Sequence, residues 1–219
     1  MSAGTSAAIV LDTNVIIFYK QGRHEIINSI IEFIKRSFEP RLVPEVRVFI
    51  PEAVLLELLM VSNWEWFTCK DCHARFRGDF RARERGYRPT MPKHCPLCGS
   101  TNVNSMGVAI TKGEVNEVIQ NLVNYIRESM QGVEVRVGEP SITNALKNAW
   151  SLLTQEFAKC RTVLDLLIVE SACTLTSEFR SIVLMTSDYD RDRCIRKFLR
   201  TRRCRITLYN YISGTEYRP

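Results

Sequence analysis

The chain has 219 residues, 45% hydrophobic and 25% charged, with a formal charge of +6. That is enough to bury one substantial core beside a smaller module, and it excludes a disordered or low-complexity chain. A membrane span is excluded too, because no run approaches ~20 apolar residues; the best stretch, Val54 to Val61, is broken by Glu57.

Met1 to Ser6 lacks the basic start and apolar length of a secretory signal, so a cytoplasmic chain is expected. Ala7 to Leu11 then forms a five-residue apolar run that stops on Asp12, as a buried parallel strand does. Asn14 to Lys20 reads as a short helix. His24 to Phe38 reads as a longer one, with Ile27, Ile30, Ile31, Ile34 and Phe38 at helical spacing. After Pro40 and Pro44, Val46 to Ile50 is a second strand, and Pro51 opens a Leu-rich helix to about Val61. Glu57 is conspicuous within that helix. From Trp64 to Gly107 the texture changes to aromatics, arginines, glycines, prolines and four cysteines, which marks a separate module. Regular pattern returns with a helix over Thr111 to Gln131, a strand over Val133 to Val137 and a helix capped by Ser141. Thr162 with Asp165 resembles a capping arrangement for a helix reaching Leu175. Ile182 to Met185 is a strand, Arg193 to Leu199 a basic helix and Arg205 to Tyr209 a last strand.

Strands joined by helical connections predict an α/β fold of three layers, with a mostly parallel five-stranded sheet flanked by helices. The expected division is residues 1–63 and 108–219 for this domain and 64–107 for the inserted module. In a sheet of order 3-2-1-4-5 the first and fourth strands are neighbours at the topological switch point, where a crevice opens at their carboxyl ends. Asp12 follows the first strand and Asp188 the fourth, while Glu57 and Asp165 stand on helices able to reach the same crevice; Asp190 and Asp192 are close enough to add to it. Several carboxylates in one crevice repel unless a cation intervenes, and oxygen donors favour a hard ion, Mg²⁺ or Mn²⁺. Taken singly, each acid has an ordinary alternative: Asp12 as a helix cap, Asp165 as a first-turn dipole partner, Asp188 as a turn residue.

In Val10-Leu11-Asp12-Thr13-Asn14-Val15, Pro51 to Leu58, Asp165 to Val169 with Ala172, and Leu184 to Asp188, the sequence resembles the PIN-domain nucleases. The resemblance implies a Mg²⁺- or Mn²⁺-dependent endoribonuclease with its acidic site at Asp12, Glu57, Asp165 and Asp188, leaving 5′-phosphate and 3′-hydroxyl ends. That family includes toxins of toxin–antitoxin pairs and ribosomal-RNA processing enzymes. Two rivals fit less well. A P-loop or Rossmann protein needs a glycine-rich phosphate loop that is absent here. A haloacid-dehalogenase phosphatase expects a second Asp where Asn14 stands.

Cys69-Lys70-Asp71-Cys72 and Cys95-Pro96-Leu97-Cys98 are two C-x-x-C knuckles able to present four thiolates to one Zn²⁺. A closed thiolate shell makes that zinc structural, and the module resembles a zinc ribbon. Cys69 to His73 also matches a c-type haem attachment, which the second knuckle and the missing secretion signal oppose. Cys160, Cys173, Cys194 and Cys204 lack C-x-x-C partners and are expected to pack as small apolar side chains.

Charge is unevenly placed. Eight basic residues stand against three acidic ones between Cys69 and Cys98, and seven against none between Arg193 and Arg205. Such blocks point to a polyanion. Arg75, Arg77, Arg81, Arg83, Arg85 and Arg88 alternate with Phe76, Phe80 and Tyr87, a combination suited to RNA with a single-stranded segment. Arg193, Arg196, Lys197 and Arg200 form a helical stripe suited to phosphates. The expected protein is therefore an endoribonuclease with a zinc ribbon that grips RNA, with assembly as a ribonucleoprotein component or homodimer left open. The alternative is an inactive PIN-like RNA-binding or ribonucleoprotein assembly module.

Overall fold

The computed structural model describes residues 6–38, 45–62, 65–72, 75–77, 94–108, 110–157, 163–187 and 193–219. The chain divides into two compact units, one formed by residues 1–57 and 118–219, the other by Leu58–Glu117. The second unit reaches into the helices that flank the expected 64–107 insertion.

In the first unit, β1 (Ser6–Leu11) lies between β2 (Glu45–Ile50) and β7 (Ser181–Thr186), parallel to both, with Ile9 opposite Val48 and Val183. A strand covered on both faces needs apolar residues at every position, and Ala7 to Leu11 are all buried. β6 (Glu134–Val137) extends the sheet beyond β2, and β8 (Thr207–Asn210) extends it beyond β7. The full order is β6-β2-β1-β7-β8 followed by one further edge strand.

The expected five-stranded sheet is thus corrected to six strands. The added edge strand, β9 (Thr215–Tyr217), runs antiparallel to β8. It returns through a tight turn in which the Gly214 amide donates to the Asn210 carbonyl at 2.7 Å, with Gly214 at φ 69°, a backbone region open to glycine.

Helices cover this sheet. α1 (Thr13–Lys20) is followed by α2 (His24–Ser37), which buries Ile26, Ile27, Ile30, Ile31, Phe33 and Ile34 while Glu25, Ser29, Glu32, Lys35 and Arg36 face outward. α3 (Glu52–Val61) and α4 (Val115–Ser129) each have residues in both units. α5 (Ile142–Gln155) starts on Ser141, whose hydroxyl accepts from the Thr143 amide at 3.3 Å. Glu52 reinforces that start by accepting from the Ile142 amide at 2.8 Å. α6 (Val163–Thr174) and α7 (Arg193–Arg202) complete the set. Thr162, the expected cap of α6, lies outside the described residues. Among the described residues, no helix is long and apolar enough to cross a membrane.

The unpaired-cysteine expectation is also corrected. Cys173 on α6 and Cys204 beyond α7 form a disulfide, and Cys194 is disulfide-bonded as well. Their pairing depends on where α6 and α7 pack, not on sequence spacing. Cys160 lies outside the described residues.

The second unit contains an antiparallel sheet of order β4-β3-β5, built from β3 (Glu65–Cys69), β4 (Arg75–Arg77) and β5 (Val103–Val108). Phe67, Cys69, Cys95 and Val103 form its buried cluster, with Cys72 packed against them.

Candidate functional site

In the first unit the site begins where β1 ends. The Asp12 amide continues the β1–β7 ladder by donating to the Met185 carbonyl at 3.1 Å, which fixes Asp12 at the carboxyl end of both strands. β2 lies on one side of β1 and β7 on the other, so this is the point where the sheet order reverses. Asp12 is buried, with 1% of its surface exposed. Its Oδ1 caps α1 by accepting from the Thr13 amide at 2.7 Å. The ordinary capping role is therefore real, but it uses one carboxylate oxygen. Oδ2 faces Asn14 Nδ2 at 3.4 Å and Thr186 Oγ1 at 3.5 Å.

Glu57 reaches the same place from α3. Its Oε2 accepts from the Thr13 hydroxyl at 2.5 Å, so adjacent residues of β1–α1 engage or carry both carboxylates. Asn14 turns its amide toward Ser187 Oγ at 3.0 Å, tying the start of α1 to the end of β7. Asn210, buried at the end of β8, donates from Nδ2 to the Ser187 carbonyl at 2.7 Å and accepts from the Ile212 and Ser213 amides at 3.0 and 3.1 Å. Ser187 is thus held through its hydroxyl and its carbonyl by two different elements.

Asp12 and Glu57 are brought together in this way, and Asp165 is half-buried in the first turn of α6. Among the described residues these three acids do not gather into a group of the closeness the cysteines reach. Asp188, Asp190 and Asp192 lie outside the described residues. Thr13, Asn14, Thr186 and Ser187 fall within the stretches that resemble the PIN-domain nucleases but carry no assigned role in the sequence analysis, and Asn210 lies outside them. The available signal was their position immediately beside the ends of β1, β7 and β8.

Asn210→Ala removes one donor and one acceptor that together satisfy three buried or half-buried backbone groups. It is expected to cost about 1–3 kcal/mol of stability, measured by chemical denaturation. A change below about 0.5 kcal/mol would mean that water replaces the amide fully.

The basic stripe of α7 is partly engaged within the first unit. Lys197 pairs with Glu156 at 2.9 Å and lies 5.3 Å from the Phe157 ring centre; Arg196 lies 5.3 Å from that of Tyr217, whose hydroxyl accepts from Arg200 Nε at 3.4 Å. Arg193 is exposed. Arg75 and Arg77 lie on β4, while Arg81, Arg83, Arg85 and Arg88 lie outside the described residues.

The second unit holds a cluster of four sulfur atoms. Cys69 and Cys98 approach to 3.6 Å, as do Cys72 and Cys95, and all four lie within 4.8 Å of one another. A tetrahedral ion with sulfur bonds of about 2.3 Å has edges of about 3.8 Å, so this cluster could hold a metal ion such as zinc. The local chain prepares it. The Cys72 amide hydrogen bond, aided by Asp71 and the neighbouring sulfurs, brings the Cys69 thiol down to about 7 despite burial. At Cys95 burial pushes upward, yet amides of Cys98 and Leu97 hold the thiol below its ordinary value. Cys98 is stabilised by the Ser100 amide but ends above its ordinary value, through burial and the competing sulfurs of Cys69 and Cys95.

The two knuckles are also fastened to each other. Asp71 accepts from Asn102 Nδ2 at 3.0 Å and from the Ser100 hydroxyl, while the Lys70 amide donates to the Asn102 carbonyl at 2.9 Å. No protein-family model, curated protein or solved structure matches the chain.

Proposed function

We propose that the protein is a metal-dependent endoribonuclease of PIN-like design, with zinc on its four cysteines stabilising a unit that grips RNA. The observation that carries this reading is the buried Asp12 carboxylate at the switch point, coupled through Thr13 to a second carboxylate, Glu57. A helix cap alone requires neither that burial nor that coupling. Asp165 and Asp188 are the further acids the reading assigns to the site.

Asp12 and Glu57 supply oxygen donors, which suit Mg²⁺ or Mn²⁺. When bound, such a cation lowers the pKa of a water and neutralises charge developing on the phosphate. The chain's own part is positional. Thr13 orients Glu57 through its hydroxyl, while Asn14 and Asn210 hold Ser187 and with it the entry to the segment carrying Asp188. The reaction is a hydrolysis: the oxygen of water joins phosphorus, the P–O3′ bond breaks, and the departing 3′ oxygen gains a proton. No side chain has to form a covalent bond to RNA.

Incubation with single-stranded RNA and Mn²⁺ tests the proposal. Asp12→Asn keeps a polar cap but removes the negative ligand, and cleavage should fall at least about 100-fold, beyond the range expected for an outer-shell partner. Equal cleavage by both proteins would assign the activity to a contaminant and remove the nuclease reading. One observation favours a second reading, an inactive RNA-binding or assembly module: Asp12, Glu57 and Asp165 do not form a three-ligand group among the described residues. RNA binding without cleavage in either Mg²⁺ or Mn²⁺ would support that reading.

A further inference from the structure

At the opposite end of the sheet from Asp12 the chain passes from α7 into β8 through Arg202, Arg203, Cys204, Arg205 and Ile206. Arg202 is drawn inward by a forked pair of hydrogen bonds to Glu170, at 2.7 and 2.8 Å. Cys204 is tied to Cys173 by the disulfide, and Ile206 is buried. Inward anchors thus alternate with two outward arginines, Arg203 and Arg205, both exposed. Arg203 ends α7 at φ 51°, a left-handed conformation that favours glycine. An arginine at the glycine position of a helix terminus, between two fixed residues, spends conformational preference to present a cation.

Arg180 joins them from the neighbouring strand. It immediately precedes β7, its amide donates to the Ser6 carbonyl at 3.3 Å, and it is exposed. The β7–β8 register sets Val183 opposite Thr207, so Arg180 and Arg205 enter the sheet at the same end on adjacent strands. Among the described residues none of the three arginine side chains has an acidic partner. Glu170 is taken by Arg202, and the nearby exposed acid, Glu178, pairs with none of them.

The geometry points to Arg180, Arg203 and Arg205 as a preset phosphate-binding surface for the RNA backbone, remote from the acidic crevice. That RNA is the polyanion rests on the reading of the protein as an RNA enzyme. β7 has six residues, which places this surface about 20 Å from the crevice at the usual rise per residue. An RNA touching both must extend over roughly six stacked nucleotides. Of the basic block between Arg193 and Arg205, this corner holds Arg203 and Arg205, both exposed.

Binding is measured in the full chain carrying Asp12→Asn, by fluorescence anisotropy with a long single-stranded RNA at about 50–200 mM salt. Adding Arg180→Ala, Arg203→Gly and Arg205→Ala should flatten the plot of log affinity against log salt by about 2, or 0.7 for each lost contact. Arg203→Gly alone should flatten it by about 0.7, with a thermal midpoint equal to or above that of its parent, which separates lost binding from lost folding. Replacing all three with lysine should restore the slope. An unchanged slope, or no RNA binding by the parent, overturns the inference. RNA cleavage by the wild-type chain is scored separately: cleavage with an unchanged slope sinks this surface and leaves the nuclease reading standing, whereas a flattened slope without cleavage does the reverse.

Discussion

Arg202→Met should lower the unfolding free energy by about 3–5 kcal/mol, measured by chemical denaturation with the Cys173–Cys204 bond intact. Glu170 lies on α6 among eight consecutive buried residues, and its side chain has no exposed surface, against 31% for Arg202. Both carboxylate oxygens are matched, Oε2 by Arg202 Nε at 2.8 Å and Oε1 by a terminal nitrogen at 2.7 Å. These hydrogen bonds raise the Arg202 pKa above its ordinary value, with burial pulling the other way. Methionine preserves much of the apolar stem but strands a carboxylate in the core. That uncompensated charge, not the loss of the pair as such, accounts for the cost.

The double replacement Glu170→Leu with Arg202→Met removes the stranded charge and should recover most of the loss. If Arg202→Met alone stays within about 1 kcal/mol of the wild type, water reaches Glu170 and the buried-pair description fails.

The same region shows what could and could not be read from the chain. β1 and α2 were legible because burial on two faces and on one stripe leaves distinct periods, five apolar residues in a row for the first and Ile27, Ile30, Ile31 and Ile34 for the second. β9 was not, since Thr215-Glu216-Tyr217 is three residues long, exposed at two of them and held only along the edge of β8. Arg202 was hidden inside a basic run. Its inward direction follows from Glu170 on another helix, which no local pattern marks. Cys173 and Cys204 lie 31 residues apart with no motif between them, so the packing of α6 against the α7–β8 turn decides their pairing.

In the acidic site, Asp12 and Glu57 stood out because a carboxylate amid apolar residues is costly unless it has work to do. Asn14, Ser187 and Asn210 did not. Neutral polar residues at the ends of strands usually make turns, and their meeting depends on a register that sets Leu11 opposite Met185.

Removal of metal should unfold the second unit while the first keeps its sheet. The buried cluster described there has four members, and two of them, Cys69 and Cys95, belong to the sulfur cluster that could hold a metal. Burial of Phe67 and Val103 contributes about 2–3 kcal/mol each, whereas ordering every further residue costs about 1–2 kcal/mol. A structural zinc on four thiolates contributes on the order of 10 kcal/mol, more than those two apolar side chains together. The full chain should therefore bind one Zn²⁺, and a strong chelator should release it. Hydrogen exchange should then accelerate at the β3 amides that pair with β5, from Glu65 to Cys69, and remain slow across β1. Cys69→Ser should reproduce the chelated pattern without added chelator. If β3 stays protected once the zinc is gone, the sulfur cluster is an accessory of a unit that folds by burial, and the metal has no structural role.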